Sequence, residues 1–267
     1  MREIAWFGAG SLCAFALGLA TALRVPRGRA VQPLLAAAVV ACGVPWLLFL
    51  AYFTHFFDVP WYFEWRAAPS TDWLPSLVGV SVGIGYGWRK RWARAEKTWQ
   101  FRTVFPGAFI ALGLVVLAHA KPLLIPLNME QVHDAWERGA CLQSTPASCG
   151  PCSAATVLRA LGQPATEGQL ASEAHTSMTG TFNWLLVRAI RRLGFTAHYR
   201  QPDSLDEVAA PAIVGVRLGE IGHFVAYLGR KDGRYLVGDP LDGMLELGAE
   251  ELAGKYRMDR FAIEVAR

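Results

Sequence analysis

Cys149 is followed by Gly150 and Pro151 and opens an alanine-rich run that ends near Leu161. Pro151 in a first turn and Gly162 just past the end predict a helix over about 150–161, with the thiol at its N-terminus. Unpaired N–H groups and the helix dipole favour an anion at that place, which suits a sulfur that reacts as thiolate. A nucleophile also needs a base, and the base needs a group to orient it. His223 opens an expected strand in Gly222-His223-Phe224-Val225-Ala226-Tyr227, and Asp239 ends the next in Val237-Gly238-Asp239-Pro240. Lys231-Asp232-Gly233 is the turn between them, so pairing counted back from it sets His223 within a few residues of position 239. Gln143 lies six residues before Cys149 and offers a side-chain amide to a developing oxyanion, with the Cys149 backbone N–H as second donor. Nucleophile, base, orienter and oxyanion donors are the parts of acyl transfer. Asp242 is the alternative orienter. The scheme calls for no cofactor and no metal.

The same residues carry a competing chemistry. Cys149-Gly150-Pro151-Cys152 is a dithiol motif at a helix N-terminus, as in thioredoxin-like oxidoreductases. Its context argues against that reading. Leu142 to Ser148 is polar and turn-like where an apolar strand would lead in, and disulfide exchange has no use for a His–Asp hairpin. Cys152 is then a small buried helix residue, and Cys141 is either free or paired with Cys152. A Cys149–Cys152 disulfide would switch the nucleophile off.

The elements that must position these residues fall in the second half. A further helix is expected at about 182–193, closed by Gly194, followed by strands at 195–199, 213–218, 223–229, 234–237 and 261–265. Helices first and an antiparallel sheet after is an α+β pattern. Residues 1–130 carry 12 Lys/Arg against 6 Asp/Glu, while residues 131–267 carry 14 against 16. The net charge of +4 therefore sits in the loops of an apolar half, which excludes a nucleic-acid-binding face. Five cysteines in 267 residues exclude a disulfide-dense miniprotein.

The first half reads as an all-α bundle of four transmembrane helices, over about 4–23, 33–57, 73–88 and 103–120. The third is short but bracketed by Trp73 and Trp88, and its Gly79, Gly83 and Gly87 predict close helix packing. Nine basic residues lie in the first and third loops against three on the other side (Arg2, Arg66 and Lys121). This places those loops in the cytoplasm and both termini outside. The rival, a signal peptide cleaved after Ala20-Thr21-Ala22, would leave the basic loops outside. The domain expectation is a transmembrane domain at 1–127, a juxtamembrane linker or short helix at 128–140, and a catalytic domain at 141–267.

Residues 141–266 resemble the bacteriocin-processing, double-glycine leader peptidases, which are papain-like cysteine peptidases often fused to export transporters. The resemblance is carried by Gln143-Ser-Thr-Pro-Ala-Ser-Cys149-Gly150-Pro151, by Leu158 to Gly162, by His223-Phe224-Val225 and by Asp239-Pro240. It implies Cys149 as nucleophile, His223 as base, Asp239 as orienter and Gln143 as oxyanion donor. Three departures stand out. Ser148 replaces the usual Asp before the nucleophile. Gly254-Lys255-Tyr256 lacks the features of a phosphate-binding loop. The inferred topology puts the domain outside, whereas transporter-fused relatives work on the cytoplasmic face. The expectation is a multi-pass plasma- or inner-membrane cysteine peptidase acting on a peptide or protein, with a separately encoded exporter as a candidate partner. The oxidoreductase and a non-catalytic peptide-binding module are the alternatives.

Overall fold

The computed structural model describes residues 2–25, 31–53, 56–92 and 120–267. It divides into two compact units, Met1–Asp58 with Ala68–Lys121, and Val59–Ala67 with Pro122–Arg267. Among the described residues of the first ninety or so, the α-helices are α1 (Arg2–Arg24), α2 (Val31–Phe53), α3 (Pro60–Ala67) and α4 (Leu77–Trp92).

In the first unit, α4 packs against α1 and α2. Its glycine stripe does what its spacing predicts. A methyl group on Gly79 would strike the Ser11 carbonyl, one on Gly83 the Phe15 carbonyl, and one on Gly87 the Ala22 side chain. Gly18 of α1 presses on the Val80 carbonyl in the same way. Only residues without a side chain let two helix backbones approach so closely. The Ser81 hydroxyl donates to the Val39 carbonyl at 2.7 Å and links α4 to α2.

The helix of the third apolar stretch begins at Leu77, four residues later than its hydropathy suggests. Two short 3₁₀ turns, Pro69–Thr71 and Leu74–Ser76, take up the preceding segment and Trp73 between them. Among the described residues, Val31–Phe49 is the one stretch long and apolar enough to cross a bilayer, with mean hydropathy 1.9. Cys13–Arg24 and Leu77–Trp88 are shorter apolar helices. The fourth expected span, 103–120, lies outside the described residues except for its last position.

The second unit is α+β. Its helices are α3, α5 (Cys149–Ala160), α6 (Glu167–Glu173), α7 (Asn183–Arg192) and α8 (Ala249–Lys255). Its strands are β1 (Ala135–Glu137), β2 (Ala140–Leu142), β3 (Thr196–Arg200), β4 (Ala212–Leu218), β5 (Ile221–Lys231), β6 (Arg234–Asp239), β7 (Gly243–Leu247) and β8 (Arg257–Ala266). The strands β3 to β8 form one antiparallel sheet in the order β3-β8-β4-β5-β6-β7. One apolar face gathers Val214, Val216, Val225, Tyr227, Tyr235, Val237 and Ala262 under Leu205, Val208 and Tyr256. The other is covered by α5, which is buried from Gly150 to Leu158.

The turn between β5 and β6 is the expected one. Lys231 pairs with Arg234, and both intervening residues, Asp232 (φ 50°) and Gly233 (φ 77°), sit in the left-handed region that such a hairpin demands. Around Asn128–Ala140 the helix offered by the sequence does not form. A 3₁₀ turn at Met129–Gln131 leads into β1, which pairs with β2, so Trp136 lies opposite Cys141. The Val132–Trp136 spacing had helical periodicity, but Arg138 and Gly139, both at positive φ, turn the chain back on itself.

α3 belongs to this second unit. Phe63 packs on the rings of Tyr199 and Phe261 at 5.3 and 5.5 Å, and the Arg66 guanidinium lies 4.1 Å from the centre of the Trp184 ring. Arg188 of α7 donates to the carbonyls of Ala67 (2.8 Å) and Arg66 (3.2 Å), capping the last turn of α3 from outside. Glu64 accepts from Arg191 at 2.6 Å and from the backbone N–H of Tyr199, on the outermost strand, at 3.0 Å.

Candidate active site

Cys149 is the first residue of α5, half-buried at the helix tip, and its thiol is free. Ser148 caps the preceding loop rather than the helix. Its hydroxyl donates to the Thr145 carbonyl at 2.9 Å and accepts from the Thr145 N–H at 3.2 Å. The serine before Cys149 therefore closes the 145–148 turn on itself. The buried carboxylate of Glu167 holds the same loop further back, taking the Ser144 N–H at 2.9 Å and its hydroxyl at 2.6 Å.

His223 and Asp239 meet across the β5–β6 hairpin. Strand alternation puts them on the face that carries Val225 and Val237, and Ala226 pairs with Gly238. His223 is 7% exposed and Asp239 fully buried, and the imidazole Nε2–H donates to Asp239 Oδ1 at 2.9 Å. Nδ1 is thereby left for the thiol. Burial alone would lower the imidazole pKa; the hydrogen bond to Asp239, the hydrogen bonding of Cys149 and the charge of both partners outweigh it and raise it from 6.5 to about 9. Asp239 is buried too, which opposes ionisation, yet donation from His223, Tyr256 and the Leu241 N–H (2.9 Å) holds its carboxyl below the usual range. The pair is an imidazolium beside a carboxylate, with a sulfur as the imidazole's second partner.

Gln143 is tethered to this corner by its backbone N–H, which donates to the Pro240 carbonyl at 2.8 Å. Its side-chain N–H₂ gives one hydrogen to the Thr145 carbonyl at 2.9 Å, while Oε1 is buried with no partner among the described residues. Asp242, the alternative orienter, does not face the imidazole; it forms an ion pair with Lys255.

The dithiol reading is overturned. Cys152 is fully buried and disulfide-bonded to Cys141 of β2, eleven residues back. It is withdrawn from Cys149, so neither a Cys149–Cys152 exchange couple nor a Cys149–Cys152 off-switch is available. One partner of the site was not read from the sequence. The Tyr256 hydroxyl donates to Asp239 Oδ2, seventeen residues away, and no local motif marks it.

The sequence profile of the Peptidase C39 family matches residues 138–267. An uncharacterized protein of Methanothermobacter marburgensis is 32% identical over 105 residues, which is 39% of this chain and 73% of that protein. One from Methanothermobacter thermautotrophicus is 32% identical over 109 residues, 41% and 76% of the two chains. Among solved structures, the peptidase domain of Streptococcus ComA, a bifunctional ABC transporter involved in quorum sensing, aligns with TM-score 0.43 at 23% identity, over 49% of this chain and 98% of that one. A double-glycine-motif protease from an AMS/PCAT transporter, solved with its leader peptide, aligns with TM-score 0.41 at 24% identity, over 49% and 95%. With its α+β, papain-like catalytic unit, this chain belongs to the Peptidase C39 family.

Proposed function

We propose that the protein is a membrane-anchored cysteine peptidase that cleaves peptide bonds through a Cys149 thioester. The observation that carries this is the continuous chain from the Cys149 sulfur through His223 to a buried, ionised Asp239. In this reading the thiolate attacks the scissile carbonyl, and the Cys149 backbone N–H and the remaining Gln143 amide hydrogen receive the oxyanion. The His223 imidazolium then protonates the leaving amine and, once neutral, draws a proton from water for deacylation. Asp239 keeps the imidazole in one tautomer and orientation throughout.

The substrate class is a peptide or protein carrying a leader segment, as for the AMS/PCAT protease solved with its leader peptide, and is carried here by family membership. A separately encoded exporter is the fitting partner. Multi-pass insertion with the catalytic unit outside the cytoplasm is supported by three independent features. Basic residues concentrate in the first and third loops. The outward surface of α2 is apolar, with Leu34 70%, Val40 64% and Leu47 54% exposed. The Cys141–Cys152 disulfide suits an oxidising compartment.

The test is full-length protein in detergent, incubated with a leader-bearing precursor peptide. Cys149→Ala should abolish cleavage while leaving the unfolding temperature unchanged. Cleavage that survives the substitution sinks the proposal.

A further inference from the structure

We propose that Tyr256 is a positioning residue of this site: its hydroxyl holds the Asp239 carboxylate in the rotamer that meets His223. The proposal rests on the cysteine-peptidase reading and adds a member to it. Asp239 Oδ1 is shared between the His223 imidazole and the Leu241 N–H, both at 2.9 Å. Rotation about the Cβ–Cγ bond carries both oxygens off their partners, so each contact resists it. The Tyr256 hydroxyl is the one contact on Oδ2 among the described residues, and it fixes the plane of the carboxylate from the side away from His223 and Leu241. Tyr256 is itself well fixed. It is 4% exposed, packs in the core beside Val225 and Val237, and donates its backbone N–H to the Leu252 carbonyl at 2.9 Å where α8 gives way to β8.

The neighbouring residue reinforces the latch. Lys255 pairs with Asp242, and its ammonium lies 5.4 Å from the centre of the Tyr256 ring. Two consecutive residues of the α8–β8 corner thus grip the two acidic residues of the Asp239-Pro240-Leu241-Asp242 turn. The charged and titratable groups around the site are Cys149 and Asp239 on His223, and Asp239, Asp242 and Lys255 around Tyr256. No sequence motif connects position 256 to the triad; the link exists only because α8, packed against β6 and β7, ends beside the β6–β7 turn.

The test uses the full chain in detergent, with ¹⁵N-labelled histidine and a Cys13→Ser/Cys42→Ser background that leaves Cys149 as the one free thiol. In Tyr256→Phe the unfolding temperature should stay close to the parent's, while the His223 midpoint falls from about 9 toward its ordinary 6.5. At pH 7.5 the protonated fraction of His223 then drops about tenfold, and iodoacetamide alkylation of Cys149 slows by up to about the same factor. A folded variant whose His223 midpoint is unchanged, or moves upward, overturns the proposal.

If the Phe variant does not fold, Asp239→Asn is read instead by ¹³C-tyrosine titration. Tyr256, raised above 10 by burial and by the charge of Asp239, should come back down toward 10. Tyr256 titrating alike in both proteins overturns the proposal equally. Failure of the peptidase reading looks different: His223→Ala would then leave Cys149 alkylation untouched, whatever Tyr256 does.

Discussion

At the scale of single residues the site is a chain of charge held in a dry place, and pH should read it out. His223 is raised from 6.5 to about 9, so it contributes stability that is full below 6.5 and is lost as pH climbs through 9. Asp239 is lowered from 3.8, so its contribution is present above 3.8 and disappears as pH falls below. The catalytic unit should therefore be most stable from about pH 4 to 6.5 and unfold several degrees lower at pH 9, at roughly 2–4 °C per kcal/mol. In Asp239→Asn the decline between pH 6.5 and 9 should largely vanish; differential scanning fluorimetry across pH decides this, and a decline as steep as the parent's would refute the pairing. The placement of Cys149, His223 and Asp239 was legible in the sequence because local signals fix all three. A helix start marks one, and a two-residue hairpin turn sets the register of the others. Tyr256 was illegible because its partnership depends on where α8 ends in the fold.

At the scale of elements, the helix that carries Cys149 is fastened to the strand before it. The Cys141–Cys152 bond joins β2 to the first turn of α5, and the Cys141 N–H also donates to the Thr156 hydroxyl at 2.9 Å. Closing an eleven-residue span should stabilise the fold by about 2–3 kcal/mol, so Cys141→Ala with Cys152→Ala should lower the unfolding free energy by that amount while peptide cleavage persists. Loss of cleavage in a folded double variant would show that the bond positions the Cys149 helix as well as stabilising the fold. Sequence spacing alone left Cys141 undecided between a free thiol and this bond. The β1–β2 hairpin that brings the two sulfurs together has strands of three residues, too short for alternation to register. The longer strands β4, β5 and β8 were found from their β-branched and aromatic runs, although β5 and β8 extend past both expected ends and β4 starts one residue early. β7 was missed because Gly243-Met-Leu-Glu-Leu shows no clean alternation.

At the scale of the whole molecule, the catalytic unit is discontinuous in sequence. α3 lies more than fifty residues before the rest of it, between two apolar helices, and reads locally as an aromatic loop. Nothing in Pro60–Ala67 says what it packs against; Phe63 and Glu64 find their partners on β3, β8 and α7 only in the fold. Phe63→Ala should cost about 3–5 kcal/mol of stability in the catalytic unit, as for any buried aromatic truncated to a methyl. Chemical denaturation followed by Trp184 fluorescence measures it, and a change below about 1 kcal/mol would show α3 to be a passive bystander.

The inserted helix also bears on inheritance. A recombination breakpoint placed just upstream of residue 138 would transplant all the chemistry yet strand α3 in the donor gene. The recipient would gain a domain with an open apolar seam along β3 and would lose the two hydrogen bonds that Arg188 gives to α3. Shuffling this cassette between chains therefore carries a penalty that a contiguous module escapes, and lineages holding it should keep the loop and the enzyme together or repair the seam independently.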